Sequence, residues 1–283
     1  MTGDPASVGP ERPRRVTRLR AVLELLHAGP SAATVGAAAG FMVLLGGGIP
    51  PLGRLGLVVL MVALQQAAIS LHNDWCDREL DAQAKPWRAI PAGLVSATAV
   101  RMVAWLGAGL ALLTSAPLGP AEFTLNLAGL AAGFAYNAGL KATPLSWLPF
   151  AVAFPLLPLF GAAALDRWPH HWWSLFIVGL PVVLTIHLAD TLPDLRADAA
   201  GGSRGLAHTL GERRARRLSL AALGLAAVLV ATGGVVLGHS AAIAAGVLAL
   251  LALFVAFGWP GAQRLVLTAG AAACGLGWLA MLS

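Results

Sequence analysis

Seven of the thirteen acidic residues crowd into two short segments, with Asp74, Asp77, Glu79 and Asp81 in the first and Asp190, Asp194 and Asp198 in the second. On a helix advancing about 100° per residue, Asp74, Asp77 and Asp81 fall within an arc of about 60°, with Asn73 beside them and Glu79 nearly opposite. Asp190, Asp194 and Asp198 follow one another at i, i+4 and i+8, within about 80°. Carboxylates gathered in this way repel one another and lose hydration, so they need protons or cations. Mg²⁺ is the economical partner, because it takes a few carboxylate oxygens and fills the rest of its shell with water and phosphate oxygens. Two such clusters on facing helices would grip a diphosphate, with Asn73, Asp74, Asp77, Asp81, Asp190, Asp194 and Asp198 as the expected ligands. The plain alternative is a solvated polar loop at each place; the repeated spacing at equivalent helix ends favours a site. Glu79 reads as a solvated surface residue.

The elements that carry these acids are apolar. Hydrophobic residues make up 58% of the 283 and charged residues only 11%, against roughly 25% charged in an ordinary soluble domain. Stretches of about 20 apolar residues, enough to cross the hydrocarbon layer, recur along the chain. Nine spans are expected, near 28–48, 54–72, 97–116, 121–139, 145–165, 172–190, 216–237, 240–258 and 263–282. The expected fold is therefore all-α, a polytopic transmembrane bundle of about nine helices around a central cavity. The first acidic segment directly follows span two and should continue its helix; the second ends span six, where Pro193 should kink or stop the helix. Acid clusters after spans two and six read as a four-helix repeat. Residues 1–20 form a separate polar tail with five arginines and no secretory signal, expected to be disordered, and residues 21–283 a single transmembrane domain.

Seventeen of the nineteen Lys and Arg residues fall on one side of this nine-span arrangement, leaving Arg54 and Arg167 on the other. The positive-inside rule then places the N-terminus and both acidic segments in the cytoplasm, in a multi-pass protein expected in the plasma membrane. A net charge of +6 does not point to nucleic acid, because the basic residues sit between apolar spans rather than in a soluble patch. Cys76 and Cys274 lack disulfide or zinc-ligand spacing, and no obligate protein partner is evident. Gly36/Gly40 and Gly129/Gly133 are small-xxx-small pairs that permit close helix packing, and Trp168, Trp172 and Trp173 match an interfacial aromatic belt.

Several basic residues lie where they could meet phosphate: Lys141 and Arg88 foremost, Lys85 and Arg204 next, Arg as a fork and Lys as a point charge. Their bland reading is topology alone, which suffices for Arg213, Arg214, Arg216 and Arg217. Arg78, among the acids, suits a structural ion pair. Tyr136, the only tyrosine, is either an interfacial anchor or a face for a cation. His72 and His187 lie within a turn of the acids, where a packed polar role is commoner than a chemical one.

Asn73, Asp74, Asp77 and Asp81 in the pattern NDxxDxxxD, followed by Arg88-Ala89-Ile90-Pro91-Ala92-Gly93, resemble the first motif of the UbiA superfamily of intramembrane prenyltransferases. Asp190, Asp194 and Asp198, running into Gly202, Leu206 and Leu210-Gly211, are similar to its second motif, and Tyr136 to Lys141 to its tyrosine-to-lysine motif. Ala89, Gly205 and Ala189 depart from the proline, threonine and asparagine usual there. The resemblance implies transfer of a prenyl group from an isoprenoid diphosphate to a small-molecule acceptor, often aromatic or a quinone precursor, in contact with membrane lipid. It further implies Mg²⁺ held by both motifs, Asp74, Asp77, Asp190 and Asp194 as catalytic residues, and substrate contacts from Asn73, Lys85, Arg88, Tyr136, Lys141 and Arg204. Cyclisation of the isoprenoid without an acceptor is the alternative within the family. An ion-coupled carrier is weaker, because coupling acids usually lie near the membrane midplane.

Overall fold

The computed structural model describes residues 23–193, 195, 204–259 and 263–282. Lipid offers backbone amides no hydrogen bonds, so an apolar chain crossing it must satisfy them within helices. The chain does so in α1 (Ala28–Gly46), α2 (Leu52–Cys76), α3 (Arg78–Ala84), α4 (Ala97–Ser115), α5 (Pro120–Asn137), α6 (Leu148–Leu165), α7 (Ser174–Thr191), α8 (Leu206–Leu210), α9 (Glu212–Leu237), α10 (Ser240–Gly258) and α11 (Gln263–Leu282). Among the described residues nine of these are long, matching the nine expected spans, and α3 and α8 are short helices beside the acidic segments. Eight have the length and hydropathy of a membrane span. The exception, α5, carries Glu122 and Asn126, both fully buried against the bundle. The protein is an integral, multi-pass, all-α membrane protein; the basic tail expected at 1–20 lies outside the described residues.

Local signals set several helix ends. Ser96 caps α4 by accepting the Ala99 N–H at 3.1 Å, and Pro120 opens α5, where a missing donor costs nothing. α7 stops at Thr191, two residues before Pro193, with Leu192 still in helical dihedrals and its N–H bonded to the Leu188 carbonyl.

Two packed groups make the core. In one, Val178 and Val182 of α7 meet Leu223 and Val230 of α9, Ala249 of α10 and Cys274 of α11. In the other, Met42 of α1, Val58 and Met61 of α2, and Leu159 and Phe160 of α6 pack together. Trp278 of α11 packs against both, and its Nε1 donates to Ser174 Oγ at 2.9 Å. Large side chains such as Leu113, Val236 and Phe254 point outward; such a surface is a liability in water and suits lipid.

The two basic residues on the sparse side have structural work. Arg54 Nη1 donates to the Ala164 carbonyl at 2.5 Å and Arg167 Nη1 to that of Gly46 at 3.0 Å, filling acceptors that the last turns of α6 and α1 leave open. Trp168 and Trp172 pack edge to face at the same end, and both are partly exposed, as is Trp173.

Of the two glycine pairs, one packs as expected. A Cβ at Gly129 would come 2.7 Å from Gln65 Nε2 and one at Gly133 2.6 Å from Ile69 Cδ1, so α5 lies close on α2. At Gly36 and Gly40 a Cβ would meet nothing within 4 Å among the described residues, so that pair joins no helices. At Gly161 the neighbour is backbone: an added Cβ would stand 2.8 Å from the Met42 Cα. Backbone cannot step aside as a side-chain tip can. Gly161→Ala is therefore expected to destabilise the protein by about 1–3 kcal/mol through overpacking, with Gly36→Ala close to neutral. Reversible unfolding in detergent micelles compares the two, and equal stability would contradict the α1–α6 contact.

Candidate active site

The first acidic segment straddles a helix end. α2 closes at Cys76, Asp77 leaves the helix, and α3 resumes at Arg78, although the bonds Asp77 N to Asn73 O (2.9 Å) and Asp81 N to Asp77 O (2.8 Å) keep the chain on nearly the same path. The uninterrupted helix expected from the spacing is thus broken at Asp77. Its carboxylates go to different cations. Asp74 and Asp81 are buried, at 6% and 5% exposure, and one nitrogen, Arg88 Nη1, donates to Asp74 Oδ1 and Asp81 Oδ2, at 3.0 Å each. His27 Nε2 lies 3.1 Å from Asp74 Oδ1, and Lys85 Nζ 3.8 Å from Asp81 Oδ1. Asp77 instead takes Lys141, whose Nζ donates to both its oxygens (2.5 and 2.6 Å) and to Asn73 Oδ1 (3.2 Å).

Burial alone would lower the pKa of Arg88, but the hydrogen bond to Asp81 and the charges of Asp74, Asp81 and Asp77 outweigh it and raise it. Neighbouring polar residues do other work. Arg78 pairs with exposed Glu79 at 2.7 Å and covers the Trp75 ring, and His72 stacks on Phe134 with centroids 4.1 Å apart.

The second segment begins on the last turn of α7. Asp190 is half exposed and accepts from Arg264 Nε, on α11, at 2.9 Å. Asp194 and Asp198 lie outside the described residues. One turn earlier, buried His187 sets Nε2 2.9 Å from Ser146 Oγ, which also accepts the Leu206 N–H at 3.0 Å. Ser146 thereby joins the loop before α6, helix α7 and the start of α8. Arg204 is exposed, next to Gly205, which lines the cavity below.

Between the segments lies a cavity of about 550 Å³. Asp77, Tyr136 and Lys141 line one side, Asp190, His187 and Thr191 the other, with Phe150 and Phe154 beneath. Asp74, Asp81, Lys85, Arg88 and Arg204 are not among its walls. A second chamber, of about 560 Å³, shares Tyr136, Phe150 and Phe154 and takes in Asn73. A third, of about 300 Å³, is almost wholly apolar and shares Phe154, Val183 and Ile186 with the first; Pro155 and Pro158, inside α6, line it.

Among the described residues no three His, Cys, Asp or Glu side chains stand close enough to form a metal cluster. A cation that needs only one or two carboxylates, completing its shell with water and phosphate oxygens, still fits the oxygens of Asn73, Asp77 and Asp190. Three residues at the site carried no local signal: His27, Ser146 and Arg264 reach their partners across 47, 41 and 74 positions.

The UbiA prenyltransferase family model matches residues 33–280. The bacteriochlorophyll synthase 33 kDa chain of Cereibacter sphaeroides is 34% identical over 64% of this chain and 62% of its own length. Digeranylgeranylglyceryl phosphate synthase of Pyrococcus abyssi is 30% identical over 61% of this chain and 62% of its own. The chain thus spans about 62% of the length of these curated relatives. A solved UbiA homologue from Archaeoglobus fulgidus, bound to DMAPP and Mg²⁺, superposes with a TM-score of 0.72 at 18% identity, over 92% of this chain and 98% of that one.

The shared contact of Arg88 gives a direct test. Arg88→Ala strands two buried carboxylates, and a loss of roughly 3 kcal/mol is expected in reversible unfolding, partly recovered when Asp74→Asn and Asp81→Asn are added. An Arg88→Ala protein as stable as its parent would refute the shared ion pair.

Proposed function

The chain belongs to the UbiA prenyltransferase family, and we propose that it transfers a prenyl group within the membrane from an isoprenoid diphosphate to a small-molecule acceptor. The observation that carries this reading is the single cavity walled by Asp77 and Lys141 on one side and by Asp190 on the other, with apolar space continuing from its floor. A diphosphate head belongs among charges, and a hydrocarbon tail belongs where water is absent.

Lys141 places a point charge at the cavity wall, held there by Asp77 and Asn73, and meets phosphate oxygens. Arg88, Lys85 and Arg204 stand at the same end as reserves of positive charge, Arg88 as a fork. Mg²⁺ would be held by Asn73, Asp77 and Asp190 with Asp194 and Asp198, joined by Asp74 and Asp81 only on release of their pair with Arg88, and would supply neutralisation of the leaving diphosphate. The allylic C–O bond breaks with its electron pair leaving on the diphosphate. Tyr136, Phe150 and Phe154 face the developing cation with aromatic surfaces and exclude water. An acceptor atom then supplies the pair for the new bond and loses its proton to the released diphosphate or to water.

The second chamber opens off the same aromatic residues and is large enough for an acceptor, which favours transfer over cyclisation. We take residues 21–283 as the catalytic unit, in the plasma membrane, with the positive-inside asymmetry supporting a cytoplasmic charged end.

Purified protein with Mg²⁺, geranylgeranyl diphosphate and a panel of phenolic acceptors should release diphosphate and form a product with the mass of both partners. Asp77→Ala and Asp190→Ala should each lower that release by about 100-fold or more, and a chelator should abolish it. Release that survives either substitution and the chelator would end the proposal; a product with no acceptor atoms would redirect it to cyclisation. Lys141→Met should raise the donor KM by roughly tenfold or more, and an unchanged donor KM would remove Lys141 from the phosphate site.

A further inference from the structure

Two imidazoles line the first cavity, and they are held differently. His208 has both ring nitrogens buried and without a partner among the described residues. His187 has one nitrogen committed: its Nε2 stands 2.9 Å from Ser146 Oγ. Its Nδ1 has no partner among the described residues and is not closed off as the nitrogens of His208 are.

The hydroxyl decides where the hydrogen of His187 sits. Ser146 is 2% exposed, and its Oγ accepts the Leu206 N–H at 3.0 Å. Gly205 lets the chain come that near, since a Cβ there would stand 3.2 Å from the same oxygen. The hydroxyl's single hydrogen needs an acceptor, because a buried donor without one is costly. Among the described residues His187 Nε2 is the acceptor within reach. A nitrogen that accepts carries no hydrogen, so the neutral ring holds its own on Nδ1. His187 therefore offers the cavity an N–H and no lone pair.

Depth gives that N–H a use. His187 lies one helical turn before Asp190, deeper in the bundle, and its ring packs on Phe150 with centroids 5.3 Å apart. It stands between the charged end of the cavity and the aromatic floor. In an isoprenoid diphosphate, the atom between charge and hydrocarbon is the ester oxygen. On the prenyl-transfer reading, which this deepens, we propose that His187, oriented by Ser146, donates its Nδ1 hydrogen to that ester oxygen. As the allylic C–O bond breaks, its electron pair settles on this oxygen and the hydrogen bond strengthens, while the hydrogen stays on nitrogen. The opposite tautomer would aim a lone pair at the allylic cation and compete with the acceptor as a nucleophile. His187 is thus a catalytic residue and Ser146 a positioning one.

Full-length protein in nanodiscs, with Mg²⁺, geranylgeranyl diphosphate and the phenolic panel, is assayed for diphosphate release. His187→Gln places an amide where Nε2 was, keeping the contact with Ser146 and losing the Nδ1 hydrogen; His187→Asn places one where Nδ1 was and gives up Ser146. The Gln variant is expected to lose about tenfold or more in kcat, with the KM for the diphosphate little changed, and the Asn variant to keep most of the native kcat. A residue that merely ties helices together would give the reverse order. The tautomer is read from the ¹⁵N spectrum of histidine-labelled native protein, the His187 resonance being the one lost in either variant. Hydrogen on Nδ1 is expected, moving to Nε2 in Ser146→Ala. The inference falls if native His187 carries its hydrogen on Nε2, or if Ser146→Ala leaves it on Nδ1. It also falls if His187→Gln keeps the native kcat, or if His187→Asn loses as much as His187→Gln. The native protein is the control: if it releases no diphosphate, the prenyl-transfer reading falls and takes this inference with it.

Discussion

Negative charge cannot be left alone at the end of an apolar bundle, and that constraint organises this protein. An unpaired carboxylate away from water costs several kcal/mol or loses its charge. Each acid of the described site therefore has a cation brought from another part of the chain: Arg88 for Asp74 and Asp81, Lys141 for Asp77, and Arg264 for Asp190. Because these are ion pairs and not packed apolar contacts, they exchange. On the proposed function, a diphosphate with its metal would offer the lysine and arginine new anions and the carboxylates a new cation.

Small residues and prolines make the space that those charges face. Gly161 seats α6 on α1, Gly129 and Gly133 draw α5 onto α2, and these close approaches fix the walls on one side. α6 carries Pro155 and Pro158 within its length, and there it borders the apolar cavity instead of packing throughout. The three chambers meet at Phe154, so that one aromatic side chain borders the charged space, the neutral polar space and the apolar space.

Apolar length made the nine helices legible, since nothing else in the chain is long enough to cross lipid. The polar continuation of α2 was legible too: it runs on to Cys76 past the apolar limit near residue 72, as its helical spacing of acids implied. Asn126 is the opposite case, a polar residue inside a span whose partner, Gln65, lies 61 positions away. The acids of the site could be read because helical spacing collects them on one chain segment. Their pairing with distant cations could not, because local periodicity says nothing about a contact across 64 or 74 residues. The glycine pairs show the same limit: Gly36/Gly40 and Gly129/Gly133 have one pattern, and only packing decides which of them faces a neighbour.

Trp278 sits where the two packed groups of helices meet, at the end of the bundle away from Asp190, tied to the first turn of α7 by its bond to Ser174. At the opposite end, among the described residues, Ser146 joins the groups through His187 and the Leu206 N–H beside the cavity. One end is thus held by an indole bond set in apolar packing, and the other by a polar contact that borders a charged cavity.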